Sequence, residues 1–171
     1  MENNLDFGEF YRCNNEMVLS FHYSFPPKAK ILAVIGRHLP SKNNSHVEDM
    51  SHFNAATRIK HFFPNLVKIY IEKGDMTEIH QAHLRNLTKL KYLSLPKNEI
   101  KKIEKNLFKF NTELEILNLE ENLIKEIYPT VFDDLKKLSI ITLWKNQCTN
   151  FNGSNKNEII KEIQENCKPA G

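Results

Sequence analysis

The chain has few of the residues, and none of the motifs, that point to chemistry or to a membrane. Its 171 residues include only three cysteines, five glycines and one tryptophan. The longest strongly apolar run, residues 31–36 (ILAVIG), is far below the roughly 20 residues that a membrane-spanning helix needs. No G-x-S-x-G, Walker loop, dinucleotide fingerprint or H-E-x-x-H occurs in the sequence. These absences predict no membrane span, no cofactor and no enzymatic activity.

A strong charge of one sign is also lacking. The formal net charge is +3, and 26% of the residues are charged. Lysine and glutamate alternate through residues 98–106 (NEIKKIEKN) and 122–127 (NLIKEI) without forming a block. This pattern favours a solvated surface over a patch that binds nucleic acid or anionic lipid. The hydrophobic content of 40% is enough for one domain with a continuous core.

What the chain does have is a repeat of 24 residues. Alternation around Leu93 and Leu95 suits a strand with one buried face, and Asn98 is a turn former where that strand should end. Leu114 follows Leu90 by 24 residues, and the other positions of the pattern recur at the same interval. The corresponding positions are Leu90, Leu93, Leu95, Asn98, Ile100, Ile103 and Phe108, then Leu114, Leu117, Leu119, Asn122, Ile124, Ile127 and Phe132. A fixed period at so many positions indicates a repeat architecture.

The repeat extends in both directions. A later copy contains Leu138, Ile141, Leu143 and Asn146, and an earlier one contains Leu66, Ile69, Ile71, Met76, Ile79 and Leu84. The string LxxLxxLxLxxNxIxxIxxxxFxxL resembles the leucine-rich repeat in its 24-residue "typical" form, over about residues 63–147. This resemblance implies an α/β solenoid, with a short curved parallel sheet on the concave face and irregular or helical return segments on the convex side.

The resemblance also implies a structural role for one asparagine in each unit. Asn98, Asn122 and Asn146 should turn inward and bond backbone groups that the turn leaves unpaired. Gly74 stands at the same position in the first recognisable unit and has no side chain to make this bond. We therefore expect that unit to be looser at this corner.

The pattern divides the chain into three predicted regions. Residues 1–62 are predicted to form an N-terminal cap with degenerate repeats, including strands at 17–23 and 29–36, and residues 63–147 form the repeats. Residues 148–171 are predicted to form a C-terminal cap. Its isoleucines, Ile159, Ile160 and Ile163, recur at helical spacing, and Asn155 with Glu158 suits the start of a helix that closes at Pro169.

The cysteines bear on the compartment. Cys148 and Cys167 resemble the cysteine-flanked C-terminal cap of extracellular leucine-rich repeat proteins, which implies a disulfide and secretion; two unrelated buried thiols are the alternative. The candidate glycosylation sequons Asn43, Asn86 and Asn152 point the same way. Against secretion, the N-terminus has no apolar stretch like a signal peptide, and Cys13 has no visible partner. An incomplete chain and an intracellular protein both remain open.

Two histidines and one cysteine are the candidate reactive groups of the chain. His80 and His83 have the spacing of a metal-binding pair, but in register they occupy the places of Glu104 and Leu107 on a return segment. No third ligand lies at a fixed spacing, so no metal is predicted. Cys13 has no base that can be paired with it, and the preferred interpretation is a free or mispaired thiol.

Function is therefore expected to reside in a surface. Residues that flank the buried strand positions point outward on the concave face and form columns across neighbouring units. The columns are Lys68, Tyr92, Ile116 and Ile140; then Tyr70, Ser94, Asn118 and Thr142; then Glu72, Pro96, Glu120 and Trp144. Apolar and aromatic residues surrounded by polar groups are typical of protein-binding surfaces, although single exposed hydrophobic residues are also common.

The sequence thus predicts a non-catalytic protein-recognition module, with another protein as partner and weak homo-association as an alternative. The 24-residue unit followed by "NQC" and a terminal "NCKP" is similar to small secreted insect proteins of this class, including the leucine-rich immune proteins of mosquitoes. That likeness implies extracellular recognition in defence or matrix assembly. A cytoplasmic scaffold or adaptor is the alternative, in which Cys148 and Cys167 stay reduced. An enzyme that uses His80 and His83 is disfavoured.

Overall fold

The structure is a computed structural model, and it describes residues 10–14, 31–35, 65–74 and 76–167. The strands are β1 (Phe10–Asn14), β2 (Ile31–Ile35), β3 (Lys68–Glu72), β4 (Tyr92–Ser94), β5 (Lys102–Ile103), β6 (Ile116–Asn118), β7 (Glu126–Ile127), β8 (Ile140–Thr142) and β9 (Asn152–Gly153). The helices are α1 (Gln81–Leu84), α2 (Lys156–Asn166) and a 3₁₀ turn at Pro129–Phe132. Within the described part of the chain, no helix is long and apolar enough to cross a membrane.

The main sheet has seven strands in the order β1-β2-β3-β4-β6-β8-β9. All neighbours in it are parallel except β8 and β9, which are antiparallel. Tyr92 pairs with Ile116, and Ile116 pairs with Ile140, so one sequence period corresponds to one step across the sheet. A second, two-stranded parallel sheet joins β5 to β7 in the return segments. The predicted parallel sheet is confirmed.

The repeated apolar positions form one buried core. Leu93, Leu117 and Ile141 alternate with outward-facing residues on adjacent strands and are at most 3% exposed. The phenylalanines of two consecutive units, Phe108 and Phe132, stack with ring centroids 6.3 Å apart. A unit alone would expose these side chains, and stacking buries them between neighbours.

The inward asparagines bond backbone groups of their own turn and of the unit before it. Asn122 Oδ1 accepts a hydrogen bond from the Ile100 amide (3.1 Å), and its Nδ2 donates to the carbonyls of Leu95 and Leu119 at 2.8 and 3.1 Å. The Leu95 carbonyl also accepts a hydrogen bond from Asn98, and the Leu119 carbonyl also accepts one from Asn146. Each shared carbonyl links two successive asparagines. The predicted inward role of Asn98, Asn122 and Asn146 is confirmed.

In the first recognised unit, the hydrogen-bond acceptor for the turn comes from the second unit. Asn98 Oδ1 accepts hydrogen bonds from the amides of Gly74 and Met76, at 2.9 and 3.3 Å. Asn98 and Asn122 also donate to carbonyls of their own turn, and Gly74 has no side chain to make such a bond. The amides of this corner do have an acceptor in Asn98, and the looser corner expected at Gly74 stays a prediction.

A residue with a left-handed backbone precedes the asparagine position in every unit. Lys73, Lys97, Glu121 and Lys145 have φ between 52° and 55° and are spaced 24 residues apart. This conformation disfavours side chains with a Cβ and is usually occupied by glycine or asparagine. The tight turn at the end of each strand is therefore built from strained residues.

At the N-terminal side, two strands extend the sheet beyond the recognised repeats. Strand β2 lies within the predicted strand at 29–36, which is confirmed. Strand β1 was not predicted, and the predicted strand at 17–23 lies outside the described residues. The boundaries proposed for the three regions remain predictions.

At the C-terminal side, helix α2 begins at the predicted cap. The Asn155 side chain accepts hydrogen bonds from the amides of Asn157 and Glu158, and its Nδ2 donates to the Glu158 carboxylate at 2.7 Å. Ile159 and Ile163 are fully buried against the repeats. The helix ends at Asn166, and Pro169 lies outside the described residues.

Cys148 and Cys167 form a disulfide, as the resemblance implied. The bond fastens the residue that follows α2 to the turn that follows Asn146. Thr149, next to Cys148, is buried and donates to the Glu162 carboxylate on α2. The helix is therefore attached to the last unit by the disulfide that follows it, by side-chain hydrogen bonds of Glu162 and Lys156, and by two buried isoleucines.

Candidate functional site

The face of the main sheet opposite the core carries the predicted columns, and we call it the open face. Its first row, at the N-terminal end of the strands, contains Tyr92, Ile116 and Ile140 on β4, β6 and β8. Ile140 is 43% exposed, while Tyr92 and Ile116 are half-buried. Because these residues are direct neighbours in register, their side chains form a continuous apolar ridge across three units. Lys68 continues this row on β3.

The second row is polar and contains Tyr70, Ser94, Asn118 and Thr142. Ser94 is fully buried, so the prediction that it contacts a partner from the surface is wrong. It is the smallest residue of the row and stands between Tyr70 and Asn118, which pair with it from either side. Larger neighbours close over a short side chain in this position. The Ser94 hydroxyl has no hydrogen-bond partner among the described residues.

The third row lies at the C-terminal rim and contains Glu72, Pro96, Glu120 and Trp144. Hydrogen bonds of the parallel ladder continue into this row, from the Lys97 amide to the Glu120 carbonyl (3.0 Å) and from the Glu121 amide to the Trp144 carbonyl (2.8 Å). These bonds place Glu120 directly opposite Trp144 on the neighbouring strand. Pro96 is buried and offers no side chain to a partner.

The negative charge of Glu72 is paired within the protein. Its carboxylate accepts a hydrogen bond from Lys97 Nζ at 2.8 Å and another from the Tyr70 hydroxyl at 2.7 Å. The Lys97 bond lowers the pKa of Glu72 below its ordinary value. Burial, together with the hydrogen bond to Glu72, raises the pKa of Tyr70, which therefore stays a neutral donor. This end of the open face presents a closed polar network.

Trp144 lies at the opposite end of the open face. Its side chain is 43% exposed, and Lys145 Nζ lies 4.2 Å from the ring centroid. Lys145 also approaches the Glu121 carboxylate at 3.4 Å. The lysine makes a cation–π contact with the ring, and Trp144 nevertheless remains partly open to solvent.

The return segments carry a different chemistry. Their charges pair across units, as in Lys137–Glu113, with 2.7 Å between Nζ and a carboxylate oxygen. Two apolar residues away from the open face are also exposed, Phe110 (43%) and Leu123 (37%). They stand singly among polar neighbours, and they form no row comparable to the apolar ridge.

The two histidines are engaged with their surroundings. The buried His83 accepts a hydrogen bond from the His80 amide through Nδ1 (3.1 Å), while the His80 ring lies between Glu78 and Glu104. Burial, with His80 as a second cause, lowers the pKa of His83. Among the described residues, no group of three or more histidine, cysteine or acidic side chains is arranged to hold a metal. The absence of a metal in the working protein stays a prediction.

The sequons differ in setting. Asn152 is exposed on β9, where its Oδ1 accepts a hydrogen bond from the Thr142 hydroxyl at 3.2 Å. Asn86 is half-buried after α1, and Asn43 lies outside the described residues. Cys13 lies in β1, and its side chain also falls outside the described part. Glycosylation at these positions stays a prediction.

One buried polar residue was missed by the sequence reasoning. Asn111 is fully buried and donates to the carbonyls of Leu84 and Leu87 at 3.0 Å. Its position corresponds to Leu87 and Leu135 in neighbouring units, so the break in the leucine pattern was the available signal. In the last unit Lys156 donates to the corresponding carbonyls, those of Phe132 and Leu135. Helix α2 thus supplies a bond that a further unit would otherwise make.

A comparison with protein families agrees with this geometry. A family model described as leucine rich repeat matches residues 64–124 and 95–148, which include β3 to β8. The chain belongs to the leucine-rich repeat family. This membership supports protein–protein interaction as the general role of the repeats, because the family typically provides non-catalytic binding modules. No curated protein matches the chain at a significant level.

Proposed function

We propose that this leucine-rich repeat protein binds a segment of another protein on its open face and has no catalytic activity of its own. The curved solenoid typical of the family makes this face the concave one. The observation that carries the proposal is the apolar ridge of Tyr92, Ile116 and Ile140, which lies beside the exposed indole of Trp144. Four apolar or aromatic residues with a polar row between them match the composition of protein-binding surfaces.

The energetic centre of this surface is expected at Trp144. A partly exposed indole next to a polar rim can be covered completely by a partner, and buried tryptophans are frequent hot spots. Asn118 and Thr142 lie between the ridge and Trp144. Asn118 Oδ1 accepts from the Glu120 amide and the Thr142 hydroxyl donates to Asn152, which leaves the Asn118 Nδ2 and the Thr142 hydroxyl oxygen to bond the partner's backbone. Glu72 and Tyr70 are already bonded to each other, so we expect them to contribute little.

The compartment is a further part of the proposal. The Cys148–Cys167 disulfide favours an oxidising environment, since such bonds are rare in the reducing cytosol. The exposed sequon at Asn152 is compatible with secretion. We therefore favour extracellular recognition, of the defence or matrix type that the likeness to secreted insect proteins implies. A cytoplasmic adaptor is the alternative, and alkylation of intact cells before lysis would separate the two, because an adaptor would present both cysteines as thiols.

The test compares two exposed aromatic residues. Partners are captured from the source tissue, identified, and their affinities are measured for the unaltered protein, Trp144→Ala and Phe110→Ala. Phe110 is the matched control, because it has the same 43% exposure and a lysine over its ring, Lys109 at 5.9 Å, but lies on a return segment. Loss of a hot spot costs about 2 kcal/mol or more, so Trp144→Ala should weaken binding roughly 30-fold.

The two variants should leave the fold intact, because neither ring belongs to the buried core. Lys125→Ala, which removes an exposed charge from a return segment, should also leave the affinity unchanged. Weaker binding in Phe110→Ala or Lys125→Ala with unchanged binding in Trp144→Ala would move the site away from the open face and refute the proposal.

A further inference from the structure

The rim of the open face contains one acidic group, Glu120, that forms no ion pair with any residue the structure describes. Glu72 is bound by Lys97, and Glu121 is approached by Lys145. Glu120 lies between these two pairs, is only partly exposed, and forms no ion pair with a described residue. Its backbone bonds fix its position, while Lys97, whose amide makes one of these bonds, has its Nζ bonded to Glu72.

The surroundings of Glu120 would strengthen an ion pair made there. It faces Trp144 across the sheet and shares the open face with Ile116 and Ile140. A partner that covers this apolar surface removes water from the carboxylate, and an unpaired carboxylate is costly to desolvate. A cation delivered by the same partner would offset that cost through charge-assisted hydrogen bonds.

The three lysines described on this rim have other partners or lie farther away. Lys97 Nζ is held by Glu72 at 2.8 Å, and Lys145 Nζ lies over the indole ring. Lys73, on the same rim, belongs to the unit of β3, two strands away from Glu120 and therefore roughly 10 Å distant. Within the part of the chain that the structure describes, no cation forms an ion pair with Glu120, so a partner can supply the complementary charge.

We infer that the open face recognises a protein segment in which a lysine or arginine adjoins an apolar side chain, with Glu120 binding the cation and Trp144, Ile116 and Ile140 covering the apolar group. The inference rests on the proposed function of the open face and adds the chemistry of its partner. Arginine suits the site better than lysine, because its planar guanidinium can bond the carboxylate in a bidentate manner and stack beside the indole.

The probe is a displayed library of random dodecapeptides, selected in parallel on the full protein and on the variants Glu120→Gln, Trp144→Ala and Glu104→Gln. Glu104 lies on a return segment, and its replacement changes the net charge by the same amount as Glu120→Gln. The unaltered protein and Glu104→Gln should enrich peptides with a basic residue next to leucine or an aromatic residue. Glu120→Gln should keep the apolar preference and lose the basic one.

One selected peptide is then synthesised with arginine or with citrulline, its uncharged analogue. A hydrogen bond to a charged group typically contributes about tenfold in affinity, so the arginine peptide should bind the unaltered protein about tenfold more tightly than the citrulline peptide. This ratio should fall to near unity in Glu120→Gln and should decrease at high salt.

The outcomes separate this inference from the proposed function. If Trp144→Ala weakens both peptides while Glu120→Gln preserves the arginine preference, the open face binds proteins but the inference is wrong. Binding of both peptides that is unaffected by Trp144→Ala would refute the open-face proposal itself. Failure of the unaltered protein to enrich any peptide, or enrichment without basic residues, would also overturn the inference.

Discussion

Replacing Asn122 by alanine tests the bonding of the repeats most directly. The side chain is 3% exposed and makes four hydrogen bonds to backbone groups. A count of bonds alone suggests a very large loss. The shared carbonyls reduce it, because Leu95 keeps the bond from Asn98, Leu119 keeps the bond from Asn146, and the Glu120 carbonyl keeps the bond from the Lys97 amide.

The one group left without a partner is the buried amide of Ile100. An unsatisfied buried donor costs about 1–3 kcal/mol, and we expect Asn122→Ala to lower the free energy of unfolding by that amount. Urea unfolding of the oxidised protein, followed by Trp144 fluorescence and circular dichroism, measures the change. Asn106→Ala is the control, because this exposed asparagine makes no side-chain hydrogen bond among the described residues, and its replacement should change stability by less than about 0.5 kcal/mol.

Asn122→Asp tests the same hydrogen bonds with a side chain that, when ionised, can only accept. A carboxylate can still accept from the Ile100 amide, but it faces the Leu95 and Leu119 carbonyls without a proton to donate. Its folded pKa should therefore be raised above about 3.9, the value of an unperturbed aspartate. Relative to Asn122→Ala, this variant should be less stable at neutral pH and should recover as pH falls through the folded pKa. A loss near zero for Asn122→Ala, or one well above 3 kcal/mol, would refute the sharing of carbonyls between successive asparagines.

Three other expectations concern stability. Lys73→Gly should raise the free energy of unfolding by about 0.5–1 kcal/mol, because glycine relieves the left-handed backbone at φ 52°, and Lys73→Val should lower it. Glu72→Gln should destabilise the protein at neutral pH, and in a pH series of urea melts its difference from the unaltered protein should vanish as pH falls below about 4.3 through the depressed folded pKa. A constant difference over that range would contradict the Lys97 pairing. Reduction of the Cys148–Cys167 disulfide, whose cysteines are separated by 19 positions in sequence, should cost about 3 kcal/mol in the same melts, and an unchanged midpoint after verified reduction would oppose this.

The repeats could be predicted from sequence because their determinants are local and periodic. Leu93 and Leu95 define a strand with one buried face, and the same spacing 24 residues later defines its neighbour. The asparagine role also follows from position. The direction of the asparagine hydrogen bonds does not, because nothing in the sequence indicates that Asn98 accepts hydrogen bonds from Gly74 and Met76 in the preceding unit.

The open face was predicted less completely. Alternation assigns Ser94 to the outer side of β4, but it carries no information on the size of the residues that flank it on other strands. Burial of Ser94 depends on Tyr70 and Asn118, which are 24 residues away on either side. Strand β1 was missed for a related reason, since residues 10–14 show no apolar alternation and join the sheet through pairing with β2.

The backward direction of the asparagine bonds gives the array a polarity that its regular period conceals. The Ile124 amide has an acceptor because Asn146 follows it in the next unit, and the Asn146 Nδ2 in turn donates back to the Leu119 carbonyl. The amide at this position of a unit therefore depends on the unit that follows. Duplication of a complete 24-residue unit would preserve this dependence at any internal position, and an insertion of any other length would break it. The unit at the C-terminus has no successor of this kind, and it is there that the Cys148 amide turns back to the Ile124 carbonyl and Lys156 reaches the Phe132 carbonyl. Such a protein can lengthen during evolution by copying whole units from its interior, while its last unit must be inherited together with the helix that follows it.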